Sequence, residues 1–206
     1  MNALVGTTGS RRLPVEILAE HEVKALIRAN STRAPTGVRN RALLATLYRS
    51  GLPISEALAL ELRDLDPHAV TLNVRHGKGD RQRIVGIDDD AFALLEIWLE
   101  RRRKLGLARR PAVFFTLKGK PLSASYIRHL LPRLARRAEL PPDKRVHGHA
   151  LRHTHAYELL AEGVRLDVIS GQLGHSSLAT THRYLNHIAR HERVEKVRQR
   201  NGWTRP

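Results

Sequence analysis

The chain has 206 residues, 36 Lys and Arg against 20 Asp and Glu, a formal charge of +16 with histidine neutral, and no cysteine. That length suits one domain with a real core, or one and a small appendage; the composition excludes disulfides and a Cys-based metal site, and the apolar runs are far too short to span a bilayer. With no signal-like stretch, a cytoplasmic protein is expected, and arginines spread along the whole chain point to a folded surface that clamps a polyanion, nucleic acid above all.

Residues 1–12, MNALVGTTGSRR, have no apolar periodicity and read as a flexible lead-in to a single domain over 13–206. From Pro14, VEILAEHEVKALIRAN carries Val15, Leu18, Val23, Leu26 and Ile27 at spacings that fit an amphipathic helix, or a short turn plus helix. STRAPTG reads as a loop and VRNRALLATLYRSG as a second helix ending at Gly51, after which Pro53 suits the first turn of a third through ISEALALEL. AVTLNVR and RQRIVGI read as two strands joined by an HGKGD turn, whose two glycines permit a tight hairpin. Asp88, Asp89 and Asp90 put negative charge at the start of the helix AFALLEIWLERRRK, whose cations gather at its end; both placements suit the helix dipole. VFFTL reads as a third short strand, LKGKPL as a turn, SASYIRHLLPRLARRAEL as a helix kinked at Pro132, and PPDKR as a loop.

A helix after Gly148 would put His149, Arg152 and Ala156 on one face and Thr154, Tyr157, Leu160 and Ala161 on a neighbouring stripe suited to burial. Gly163 suits a stop, Asp167 the cap of a short helix DVISGQL, and Gly174 its left-handed terminator. His175 then ends a tight turn, and Ser176 or Ser177 caps the helix that carries Tyr184. HIARHERVEKVRQR, about 187–200, reads as a charged terminal helix. The expected fold is α+β, mainly α-helical, with a small three-stranded antiparallel sheet in the middle.

His149-Ala-Leu-Arg152-His153, then Leu173-Gly174-His175, then Tyr184 nine residues further on form an ordered set. Each piece alone occurs by chance. Together they resemble the second box of the tyrosine recombinases, or phage-type integrases, which looks like H-x-L-R-H, L-G-H and Tyr. The resemblance covers roughly residues 14–190 and is to the catalytic domain of that family. A separate core-binding domain, usual in the family, is not expected here, and the length is similar to that of the short recombinases that switch fimbrial genes by DNA inversion.

The resemblance implies a site-specific recombinase that cuts and rejoins double-stranded DNA without metal or cofactor. Tyr184 would be the nucleophile, forming a 3′-phosphotyrosyl bond, and Arg152 would fork onto the phosphate oxygens. His149 and His175 would donate hydrogen bonds or help move the tyrosine's proton, while Lys78, in the hairpin turn, matches the family's general acid. Read alone, Lys78 is a solvated turn lysine. DNA contacts are thus expected at Lys78, Arg152 and His175. The resemblance also implies a homo-tetramer on paired DNA sites, with the segment about 187–200 exchanged between neighbours; no basic amphipathic anchor suggests a membrane partner.

The first box of the family looks like T-G-L-R-x-S-E-x-L-x-L, and here Ser50-Gly51-Leu52-Pro53-Ile54-Ser55-Glu56-Ala57-Leu58-Ala59-Leu60 matches around it with Pro53 in the arginine's place. Proline has neither charge nor donor. An arginine that stabilises a phosphoryl-transfer transition state is worth roughly 10³ to 10⁵ in rate, or about 4 to 7 kcal/mol. Arg49, one helical turn earlier, is the nearest alternative cation, and Glu56 matches a position that looks structural. Three readings stay open: an active recombinase, a catalytically inactive recombinase-fold DNA-binding protein, and a type IB topoisomerase-like DNA relaxer. His153 and His155 read as core or surface histidines, Tyr126 and Tyr157 as core. His149 and His153 have the i, i+4 spacing of zinc ligands, but no carboxylate follows in the H-E-x-x-H manner, so no metal is expected.

Overall fold

In the computed structural model, which describes residues 15–75, 77, 82–189 and 198, the chain enters extended and turns into helix α1 (Glu20–Arg28) only after five residues. The apolar pattern had suggested an earlier start. Leu18 is withheld from the helix because its N–H donates to the Thr154 hydroxyl at 2.9 Å, and Glu22 folds back to accept from the N–H of Ala19 at 2.8 Å, fixing the first turn there. Helix α2 (Pro35–Ser50) begins three residues before the expected VRNR, since proline is tolerated at its first position, and ends at Gly51 in the left-handed conformation. Val38, Ala42, Leu43, Leu44, Ala45 and Leu47 are all buried along it, so α2 is a central helix of the main core. Pro53 holds the N-cap position of α3 (Ile54–Ala59).

A short 3-10 turn leads into β1 (Leu65–Asp66), which pairs antiparallel with β2 (Thr71–Val74), which pairs antiparallel with β3 (Arg83–Gly86). The sheet is three-stranded and antiparallel as expected, but its third member is Leu65–Asp66 and not VFFTL. Val113, Phe114 and Phe115 are buried, yet that stretch makes only isolated bridges, Glu61 to Ala112 and Phe115 to Pro121. Side chains serve its backbone in place of a ladder: Trp98 Nε1 donates to the carbonyl of Val113 at 2.8 Å and Arg102 to that of Ala112 at 2.7 Å.

Helix α4 (Asp89–Lys104) starts where expected, with the Asp88 carboxylate accepting from the N–H of Ala91, and packs along α2. Helix α5 (Ala124–Arg137) contains Pro132. Helix α6 (Gly148–Ala161) is capped by the ring of His147, which accepts from the N–H of Ala150. Its buried face is broader than the expected stripe: Ala150, Leu151, Thr154, His155 and Ala156 are buried, Tyr157 and Leu160 half-buried, and Ala161 exposed. Contacts on both sides, with α2 and with the two helices that follow, explain the width. Helix α7 (Leu166–Leu173) has Arg165 at its N-cap position, while Asp167 lies in its first turn and pairs with Arg165 instead of capping. Helix α8 (Leu178–Ile188) is capped by Ser177. The lead-in 1–12, Lys78 in the hairpin turn and most of the segment 187–200 lie outside the described residues.

The apolar interior is divided. One large cluster joins α1 to α6 and the sheet, and a small one is made of Ala156, Ile169, Leu173, Leu185 and Ile188. Val15 and Ile17 of the extended entry pack against the small cluster, as does Tyr184. Among the described residues no helix is long and apolar enough to cross a membrane.

Candidate active site

Arg152 is locked in place before any ligand arrives. Its Nη1 donates to the carbonyl of Gly51 at 2.6 Å and its Nη2 to that of Leu173 at 2.7 Å, so one guanidinium ties α6 to the end of α2 and to the end of α7. Both carbonyls stand next to or on glycines in the left-handed conformation, Gly51 and Gly174. Gly174 also permits a close approach: a methyl group there would lie 2.8 Å from the guanidinium of Arg83. Arg83, from β3, donates to Glu56 of α3 at 2.5 Å, and both side chains are largely buried. Glu56 is therefore structural, as its sequence context suggested.

Tyr184 comes to this corner on α8. Its hydroxyl is 2.6 Å from Nδ1 of His153, with ring centroids 5.3 Å apart. His175 meets the Tyr184 ring edge-on at 5.3 Å, and its Nδ1 lies 2.9 Å from the hydroxyl of Thr181. His149 stands ring to ring with His153 at 6.3 Å and with His147 at 6.4 Å. Among the described residues no carboxylate joins these histidines to make a metal-binding group.

Burial governs the protonation states. It pushes the Tyr184 hydroxyl up to about 12, against the pull of Arg152, so the phenol is neutral. Burial, then the electrostatic influence of His149, His147, Arg152 and His187, holds His153 down at about 4, so its ring is neutral too. Burial also lowers Arg152, with Tyr184 and Glu56 opposing and Arg83 adding to the effect; an arginine nonetheless keeps its charge in a protein. The pocket thus holds a fixed cation beside an uncharged phenol and an uncharged imidazole.

Of the residues singled out in the sequence, Arg152, His175 and Tyr184 come together, His149 stands beside them through His153, and Lys78 lies outside the described residues. Pro53 is half-buried, two residues beyond the carbonyl that Arg152 grips. Arg49 does not fill its place: its Nε contacts Asp88 and its Nη1 contacts Glu158 at 3.2 Å. His153 was read as a bland histidine and instead touches the Tyr184 hydroxyl; its position directly after Arg152 was the one available sign. Gln172 was missed altogether. Its amide accepts from the N–H of Gly86 at 3.0 Å and donates to the carbonyl of Gly86 at 2.8 Å, imitating a paired strand and fastening α7 to β3. No sequence pattern announces such a contact.

The model described as the phage integrase family matches residues 16–191. Tyrosine recombinase XerC of Bacillus licheniformis is 34% identical over 184 residues, which cover 87% of this chain and 59% of that protein. XerC of Pelotomaculum thermopropionicum is 36% identical over 193 residues, covering 91% and 61% respectively. The chain spans about three-fifths of the length of these relatives. Among solved structures, XerA recombinase superposes with a TM-score of 0.75 at 30% identity, covering 93% of this chain and 68% of that one. XerH site-specific recombinase bound to palindromic difH substrate, a post-cleavage complex, gives 0.74 at 26%, covering 94% and 55%. The catalytic domain of bacteriophage HP1 integrase is alike in fold, with 0.59 at 24%, covering 90% and 95%.

Proposed function

Because the chain belongs to the phage integrase family and has the fold of tyrosine recombinase catalytic domains, we propose that it is a site-specific recombinase that cuts and rejoins double-stranded DNA through a 3′-phosphotyrosyl bond at Tyr184. The observation that carries this reading is the convergence of Arg152 and His175 on a half-buried Tyr184, with His149 one ring further out beyond His153. Two of the five N–H donors of Arg152 are used on carbonyls and the guanidinium also bonds the Tyr184 hydroxyl, which still leaves donors for the non-bridging oxygens of a phosphodiester beside the nucleophile. His149 and His175 add donors to the same oxygens. Tyr184 then forms the new bond to phosphorus as the bond to the 5′-oxygen breaks; its phenolic proton passes to a neighbouring histidine, and the leaving oxygen takes a proton from Lys78. The tyrosyl ester conserves the bond energy, so the 5′-hydroxyl of another strand reverses the step.

The partner is DNA, met by a surface with the charge to bind it: the excess of +16 comes largely from arginines distributed along the chain. The reading extends, by analogy with the family, to a catalytic domain over 13–206, a tetramer on paired sites, and exchange of the segment about 187–200 between neighbours. A second reading has its own support. Pro53 stands where the family has an arginine, and Arg49 is engaged elsewhere, which favours a slow or inactive enzyme that still binds DNA.

Covalent trapping tests both. The protein is incubated with nicked duplexes drawn from DNA flanking its own gene, and a denaturant-resistant adduct is sought. An adduct lost in Tyr184→Phe supports the recombinase. Retarded duplex without adduct supports the inactive DNA-binding protein, and relaxation of a plasmid lacking any specific site supports a topoisomerase-like activity.

A further inference from the structure

We propose that His153 is the catalytic base, the group that takes the phenolic proton of Tyr184 as the tyrosine attacks, in place of His149 or His175. The inference rests on the recombinase reading and deepens it. It starts from the contact at the nucleophile: the Tyr184 hydroxyl lies at 2.6 Å from Nδ1 of His153, a distance at which an O–H donates directly to a ring nitrogen. The other two histidines hold different stations. His175 presents its ring to the Tyr184 ring edge-on, with its Nδ1 occupied by Thr181, while His149 is a ring neighbour of His153.

The surroundings keep the base ready. His153 faces His147, His149 and Arg152 of its own helix and cap and Tyr184 and His187 of α8, with His175 on the far side of Tyr184 and Arg83 and Glu56 behind Arg152. Burial and the fixed charge of Arg152 disfavour a protonated ring, and a neutral ring with its proton on Nε2 offers the Nδ1 lone pair to the phenol. The step balances without a further reagent. The bond from Tyr184 oxygen to phosphorus forms, the bond from phosphorus to the 5′-oxygen breaks, and the phenolic proton passes to Nδ1. Religation returns it. The imidazolium formed beside Arg152 is disfavoured in the free protein and favoured once the phosphate brings negative charge, so the tyrosine is activated by its own substrate.

The test has one arm without DNA and one with it. Long-range proton–nitrogen NMR of the full chain labelled with ¹⁵N reports the tautomer of His153, with Tyr184→Phe to identify its signals. The expected result at neutral pH is a proton on Nε2 and an Nδ1 shift that moves toward the unbonded value in Tyr184→Phe. A proton on Nδ1 would overturn the proposal. In the second arm, nicked duplexes that yield the covalent adduct are made with an ordinary or a sulfur-substituted 5′-bridging atom, which needs no proton to leave. His153→Ala should slow adduct formation by about 10² to 10⁴-fold on both duplexes, with a rate that climbs as pH rises and duplex binding unchanged. His153→Asn restores an acceptor near the Nδ1 position without basicity and should be as slow as His153→Ala. Recovery in His153→Asn would reduce the residue to positioning, and rescue by the sulfur substrate would move it to the leaving group; either result overturns the proposal. If the unaltered chain forms no adduct, the recombinase reading fails, and the NMR arm still decides what His153 does to the Tyr184 hydroxyl.

Discussion

Replacing Pro53 by arginine should raise the rate of covalent adduct formation by roughly 10³ to 10⁵-fold, the range measured for arginines at phosphoryl-transfer transition states, equivalent to about 4 to 7 kcal/mol. The structure sets both sides of the comparison. Pro53 has φ −57° and ψ 149°, a region open to every L residue, and it makes no side-chain cap to α3 that a substitution would lose. Its Cα lies within about 7.6 Å of that of Gly51, two trans peptides away, and the Gly51 carbonyl is held by Arg152, so a side chain at 53 starts beside the clamp. The loss is the chain stiffness that proline gives the unfolded state, about 0.4 to 1 kcal/mol. Single-turnover adduct kinetics on a nicked duplex, with urea unfolding of both proteins, measure the two quantities. A stable Pro53→Arg protein whose rate rises less than ten-fold would refute the claim that position 53 faces the phosphate.

Arg49→Met should lower stability by about 1 kcal/mol, since Arg49 contacts Asp88 and Glu158 at a partly exposed site where ion pairs are modest. Its adduct rate per folded molecule should be unchanged; a fall would place Arg49 in the site after all. His155 is buried and held down at about 4 by desolvation, so between that value and the ordinary 6.5 the unfolded chain binds the extra proton. Stability is therefore full above about 6.5 and falls as pH drops toward 4, by about 3 kcal/mol from this residue. Urea midpoints at pH 7.5 and 5 should differ more in the unaltered chain than in His155→Gln. Gly174→Ala should cost about 1 to 3 kcal/mol, because the backbone is left-handed there and the new methyl meets the Arg83 guanidinium; thermal unfolding would read it.

Devices that act over three or four residues were legible in the sequence. Asp88 and Ser177 cap their helices and Gly51 and Gly174 end theirs because the partners of each are near neighbours in the chain. Distant partners were not legible. VFFTL has the composition of a strand, but its carbonyls are served by Trp98 and Arg102 side chains, and nothing in a local apolar run distinguishes a ladder from that arrangement. The late start of α1 depends on a bond from Leu18 to Thr154, 136 positions away. Arg152, His149, His175 and Tyr184 are singled out by spacing and resemblance together, whereas the contact of His153 requires knowing that α8 brings Tyr184 over α6.

The division of the interior into two clusters gives the nucleophile a latch of its own. Helix α8 is anchored chiefly by Leu185 and Ile188, each worth about 1.5 to 3 kcal/mol on burial, in the cluster completed by the extended entry of the chain. Arg152 bridges the two, bonding to the end of α2, whose apolar face lies in the large cluster, and to the carbonyl of Leu173 in the small one. Opening is therefore ordered, with the amides of α8 exchanging with solvent before those of α2. Opening of the small cluster would free the tyrosine and one of the two carbonyl bonds of Arg152, at Leu173, while the bond to Gly51 stays, which makes access to the reactive hydroxyl a matter of local stability more than of the stability of the fold.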